Sequence, residues 1–233
     1  MSQVNTKASR AEIFANIRRG LHRNTKNGEA TTEQQQAVQN RLSAHADNLI
    51  PKRAQLPHDE QVELFKAMAT EAVAELIELE SIKGVPQACT DWLKAHNVDQ
   101  LISASNSEIN DLDWSVLGDI KRTERVAQAG DIASLTSSFA GIAETGTLML
   151  HSQPESPTTL NFLPDNHLVI LKRSTIVGVY EEAWKKLRNH FDGKMPRTVN
   201  MITGPSRSAD IEQKLQMGAH GPKTLVIFLI KDD

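Results

Sequence analysis

Apolar residues recur at helical spacing through the first third of the chain and as short unbroken runs through the rest. Ile13, Phe14, Ile17 and Leu21 form one stripe, which predicts a helix over Ser9–Leu21. Ser9 is placed to cap it, with Glu12 three residues on as in a capping box. The polar stretch Asn24–Thr32 reads as a linker. Val38, Leu42, Ala46 and Leu49 then predict a second helix, Glu33–Ile50, closed by Pro51. A third starts at His58 or Asp59 and carries Val62, Phe65, Met68, Ala69 and Val73 on one face. Glu75–Glu80 fits either its tail or a first strand, and the strand is preferred.

From Pro86, which suits the first position of a helix running to about His96, the rhythm becomes that of strands alternating with helices. Leu101–Ile102, Leu135–Phe139, Leu148–Leu150, Leu168–Leu171, Thr198–Thr203 and Leu225–Ile230 read as strands, and Glu181–Phe191 as a helix stopped by Asp192–Gly193. The expected fold is α/β, a mostly parallel sheet flanked by helices, with an N-terminal helical extension. The expected division is residues 1–32, helix and linker, then 33–231, the α/β domain with 33–58 as a helical lead-in. At the end of the chain, Gly204-Pro205 stops a strand, Ser208 is placed to cap a helix with Asp210 in its first turn, and Gly218–Pro222 leads into the last strand. That is a βαβ expectation, and the first polar turn of such a unit is where ligands usually bind.

Charge and composition narrow the function. The 233 residues carry a net charge of −3 with no dense basic run, so no nucleic-acid surface is suggested. The apolar runs are too short to span a bilayer, and the N-terminus lacks the apolar core of a signal peptide, which points to the cytoplasm. Cys89 is the one cysteine. It cannot form an internal disulfide or hold an iron–sulfur cluster, which typically takes four. Trp92, Leu93 and His96 share its helix face, which favours packing over reactivity.

Four polar stretches lie where apolar runs end. In Ala143-Glu-Thr-Gly-Thr147, Gly146 lets backbone approach a ligand, Thr145 and Thr147 offer hydroxyls, and Glu144 is a candidate general base. A strand-entry turn with a solvated or paired glutamate fits the same letters. In Gly204-Pro-Ser-Arg-Ser208, free amides with Ser206, Arg207 and Ser208 make a candidate anion site, or equally a plain helix cap with a surface arginine. Gly218-Ala-His-Gly-Pro222 holds His220 between glycines, with Gly221 beside it, as an acid or base or as a structural histidine. His151–Pro164 reads as a loop whose Leu160-Asn-Phe-Leu163 segment is unusually apolar. No zinc-type spacing, phosphate loop, dinucleotide fingerprint or Gly-x-Ser-x-Gly elbow occurs, so no metal ligands are assigned.

Ile142-Ala-Glu-Thr-Gly-Thr-Leu148, Leu163-Pro164 followed by His167 and Val169, Gly204-Pro-Ser-Arg-Ser-Ala-Asp-Ile-Glu212 and Gly218-x-His-Gly-Pro222 occur in an order that resembles the LUD-domain family, most closely its lactate utilization protein C branch. The resemblance covers roughly Phe65 to Ile230, and the first helix is also similar to that branch. Ser208 stands where the family usually has threonine, and a glycine pair expected near Glu71–Ala74 is missing. The resemblance implies a fold like that of glucosamine-6-phosphate deaminase, ribose-5-phosphate isomerase and the CoA transferases. It also implies a part in oxidising L-lactate to pyruvate beside two partner subunits, LutA-like and LutB-like, that carry the iron–sulfur clusters; no cofactor is expected in this chain. Under this reading Glu144, Thr145, Thr147, Ser206, Arg207 and His220 gather at one cleft, with Arg207 holding a carboxylate. Two other classes stay open: a stand-alone enzyme or binding protein for an anionic ligand, and a scaffold or oligomer docking through Ile13, Phe14 and Ile17.

Overall fold

The computed structural model describes residues 6–22, 30–44, 49–209 and 215–232, with backbone alone at 6, 7, 208, 209, 215 and 216. The chain divides into two units, Met1–Asn48 and Leu49–Asp233. The first unit contains α1 (Thr6–Gly20) and α2 (Thr32–Ala44). Because α1 begins at Thr6, Ser9 lies inside it rather than capping it; nothing between the two breaks a helix. Ile13, Phe14 and Ile17 form the expected stripe and are exposed, and the Arg10 and Arg18 guanidinium groups stand 5.5 and 5.8 Å from the Phe14 ring centroid. A capping box does occur one helix later. The Gln34 amide donates to Thr31 Oγ1 (3.2 Å), and the Thr31 amide donates to Gln34 Oε1 (3.1 Å). Of the helix expected to reach Ile50, residues 45–48, including Ala46, lie outside the described residues. Ile50 is not helical, as the following Pro51 requires.

The second unit begins with α3 (His58–Glu71), β1 (Glu75–Leu79), α4 (Val85–Ala95), β2 (Gln100–Ser103), α5 (Ser107–Asn110), β3 (Lys121–Glu124) and β4 (Ala133–Ser137). There follow β5 (Ala140–Ile142), β6 (Thr147–His151), β7 (Asn166–Lys172), β8 (Ile176–Val177), α6 (Tyr180–His190), β9 (Val199–Ile202), β10 (Arg207–Ala209), β11 (Leu215–Met217) and β12 (Thr224–Ile230). Six strands form one parallel sheet in the order β1-β12-β7-β4-β2-β3. A second sheet runs β8-β5-β6-β9, with antiparallel pairs on both sides of β6. No described helix is long and apolar enough to cross a membrane.

Alternation along the central strands creates two cores. Leu168, Ile170, Val226, Phe228 and Ile230 face α4, where Cys89 and Leu93 are fully buried. Val169, Leu171, Leu225, Ile227 and Leu229 face α3 and the inner side of the small sheet, through Phe65, Ala69, Leu148 and Leu150. The outer side of the small sheet packs Ile142 and Met149 on Ala183 and Leu187 of α6. The layers are therefore α4, large sheet, α3 with small sheet, and α6. Leu160 and Asn161 of the apolar loop segment are buried, while Phe162 and Leu163 are exposed.

The C-terminal βαβ expectation fails. Residues 207–209 and 215–217 are not helical but form the antiparallel pair β10–β11, with Ser208 opposite Gln216; Asp210 lies outside the described residues. Ser208 is thus in extended backbone and is no helix cap. The cause is a ladder at the base of this pair: the Ser206 amide donates to Pro222 O (2.8 Å) and the Gly218 amide to Ser206 O (2.9 Å). These bonds hold Arg207 onward extended against Met217, and β9 and β12 end in different sheets.

α3 also ends in an unexpected way. Val73, expected on its apolar face, is exposed with φ 68°. The Val73 amide donates to Thr70 O and the Ala74 amide to Ala69 O, a Schellman closure in which the left-handed position is ordinarily glycine.

Candidate functional site

Residues 143–146 form the tip between β5 and β6. The β5–β8 ladder continues past the strands: the Ala143 amide donates to Val177 O (2.8 Å) and the Glu144 amide to Gly178 O (3.0 Å). This carries Glu144 to the start of α6, where its buried carboxylate accepts the Tyr180 amide at 3.2 Å. Glu144 therefore does what a capping side chain does, from another element, and α6 directs its unpaired amides toward that negative charge.

Next to it, four hydroxyls meet. Thr147 Oγ1 lies 2.7 Å from Thr145 Oγ1, 2.9 Å from Tyr180 Oη and 2.6 Å from Thr203 Oγ1, and Thr145 Oγ1 is 3.0 Å from Tyr180 Oη. Each hydroxyl has one proton to give. Four protons serve these four bonds, so the ring as it stands presents lone pairs outward and no spare donor. Thr147 is fully buried at its hub, and Thr203 is exposed at its rim.

Both motif turns rest on the end of α3. Gly146 has φ 64°, and a Cβ there would overlap the backbone of Met68 and Ala69. Gly204 has φ 65°, and a Cβ there would overlap the Ala72 carbonyl. Only glycine meets both demands, the left-handed backbone and the close approach.

The expected site residues thus fall into two groups. Glu144, Thr145, Gly146 and Thr147 gather with Thr203 and Gly204 around α3 and α6. Ser206, His220 and Gly221 gather around the 206–222 ladder: the His220 amide donates to Ser206 Oγ at 3.4 Å, and a Cβ on Gly221 would lie 3.3 Å from Ser206 Cβ. Arg207 is exposed on β10 opposite Met217. Among the described residues the Glu144 hydrogen bonds go to Gly178 and Tyr180, not to Arg207 or His220. Sequence reasoning missed Tyr180 and Thr203. The available signals were weak: Tyr180 is the chain's one tyrosine, and Thr203 stands between an apolar run and Gly204.

Two further groups bear on the chemistry. Burial pushes the Cys89 thiol up to about 12, so it stays protonated and unreactive at neutral pH. His167 on β7 is fully buried, bonded through Nε2 to Thr136 Oγ1 (2.8 Å), and burial lowers its pKa to about 3.

Residues 61–230 match the LUD domain. The chain is 42% identical over 101 residues to an uncharacterised protein of Neisseria meningitidis serogroup B, spanning 43% of each. It is 29% identical over 188 residues to lactate utilization protein C of Exiguobacterium, covering 75% of this chain and 79% of that one. With lactate utilization protein C 1 of Bacillus mycoides it shares 34% identity over 118 residues, half of each chain. The match thus spans about half or less of the length of some relatives and most of another. A crystal structure of a DUF162 family protein from Deinococcus radiodurans has the same fold, with a TM-score of 0.56 at 20% identity, over 75% of this chain and 99% of that one. With the family signature running from the third helix to the last strand, this chain belongs to the LUD-domain family.

Proposed function

We infer that this protein is a component of an L-lactate utilization system, acting beside partner subunits that carry iron–sulfur clusters and contributing no cluster ligands itself. The observation that carries the reading is the 188-residue similarity to a relative named lactate utilization protein C, which extends over three-quarters or more of both chains. The thiol chemistry supports the division of labour. One buried cysteine, held protonated, does not fit cluster ligation, which typically takes four thiolates. No electron-transfer step is therefore assigned to this chain. In this reading the Glu144–Tyr180 junction with its neighbouring hydroxyls forms one part of the motif region, and Ser206, Arg207 and His220 form a second.

The test is genetic and biochemical. A deletion strain is expected to lose growth on L-lactate and to regain it with the full chain, which should co-purify with cluster-bearing subunits. Normal growth of the deletion strain would exclude the role. Turnover of an anionic small molecule by the isolated chain would favour a stand-alone enzyme instead.

A further inference from the structure

The six-stranded sheet ends in two unlike edges. β3 reads Lys-Arg-Thr-Glu, and charged side chains are a usual guard against pairing with a further strand. β1 reads Glu-Leu-Ile-Glu-Leu, with apolar residues at three of its five positions. It pairs with β12 on one side, and among the described residues no strand pairs with the other. The backbone amides and carbonyls directed that way are open to a further strand.

The space for one is present. A groove of about 830 Å³ runs along β1, walled by Glu63, Lys66 and Thr70, which share one stripe of α3. Side chains of β1 alternate between the two faces of the sheet. Leu76 packs into the core under α3 and Ile77 into the core under α4, and both stay partly exposed. Glu78 lies on the α3 face, 2.8 Å from Lys66 Nζ. Glu75 lies on the α4 face, where its carboxylate accepts the Trp92 indole N–H at 2.7 Å. Two apolar positions are thus flanked by two carboxylates held on opposite faces. Glu63 shares the Lys66 amine at 3.1 Å, so three carboxylates and one amine line the groove, a net charge of −2.

We propose that the β1 edge is a docking site for an extended basic segment of a partner protein, added as a seventh strand. Backbone pairing supplies affinity, and the side chains opposite β1 supply the choice of partner. Cations belong opposite Glu75 and Glu78, and apolar residues opposite Leu76 and Ile77. The matching order is cation, apolar, apolar, cation, which reads the same in a parallel or an antiparallel approach. A second copy of the chain brings the same glutamates to the edge, so charge selects a basic partner over a twin. Site and pattern stand on the sheet edge alone and are independent of the role in lactate utilization.

Fluorescence anisotropy of a labelled Thr-Lys-Val-Ile-Lys-Thr peptide, titrated with the full chain, tests the proposal. Saturable one-to-one binding is expected. The Thr-Glu-Val-Ile-Glu-Thr peptide should bind at least about tenfold more weakly, because like charges then face each other across the pair. In two further peptides of unchanged charge, proline replaces the valine or the isoleucine. Successive amides of a strand point to opposite sides, so one of these two should bind about fivefold or more weakly, through loss of one hydrogen bond. Glu78→Lys, at a side chain 59% exposed, should weaken the lysine peptide by about tenfold. Absence of saturable binding overturns the site. Binding that survives both prolines overturns strand addition, and binding unaltered in Glu78→Lys overturns the placement on β1. Concentration-dependent dimerisation that protects the β1 amides from hydrogen exchange would overturn the basic partner in favour of a second copy. None of these failures touches the lactate-utilization role, which is read from growth of the deletion strain.

Discussion

At the scale of single residues, the chemistry expected of the Glu-Thr-Gly-Thr tip is redistributed by its surroundings. Glu144 is tied to the first amide of α6. Thr147, with three hydroxyl partners and no exposure, joins the start of β6 to the start of α6 and the end of β9. A net hydrogen bond is worth about 1 kcal/mol, so Thr147→Val, which keeps shape and removes the hub, should cost about 2–3 kcal/mol in urea unfolding. Thr203→Val removes one exposed spoke and should cost about 1 kcal/mol or less. Equal costs for the two would show that the hydroxyls do not act as a ring. The residue types were legible in the chain order, since a glycine between two threonines announces a tight polar turn. Their partners were not, because Thr147 and Thr203 are 56 residues apart.

At the scale of elements, the end of α3 is the seat of both motif turns, and it is strained. Val73 holds the left-handed position of a Schellman closure, where a β-branched side chain is disfavoured. Val73→Gly should therefore stabilise the protein, by about 1 kcal/mol, despite the extra backbone freedom glycine brings to the unfolded chain. A higher urea midpoint at unchanged slope would show it; a lower midpoint would mean that the exposed valine makes contacts worth more than the strain. The helices α3, α4 and α6 and the strands β7, β9 and β12 were legible from periodicity because their pattern is local. The β10–β11 pair was not, since the ladder that imposes it joins Ser206 to residues 218 and 222 across the loop. β3 was missed for a different reason. It is an edge strand of sequence Lys-Arg-Thr-Glu, with no apolar alternation to reveal it.

At the scale of the whole molecule, stability is linked to pH through the interior of the layers. His167 is neutral when folded, with a pKa near 3, while an unfolded histidine titrates near its ordinary 6.5. Between those values the unfolded chain binds the extra proton, so stability falls as pH drops through that window and is flat above it. The slope from this one group approaches about 1.4 kcal/mol per pH unit. Urea unfolding at pH 7, 5.5 and 4.5 should show a shallower decline for His167→Gln than for the native chain. Identical declines would mean that His167 takes up a proton in the folded state.

By itself the sequence determined the α/β class, the two faces of the central strands, the burial of Cys89 and the glycines at both motif turns. Each of these follows from spacing along a few consecutive residues, or from a backbone demand that one residue type satisfies. Only the tertiary structure decided that Glu144 caps α6, that Thr145, Thr147 and Tyr180 close a ring to which Thr203 is attached through Thr147, and that Ser208 is extended rather than helical. Those features depend on which strand ends lie side by side, and that is set by packing of apolar faces far apart in the chain, not by the polar residues that come to share the space.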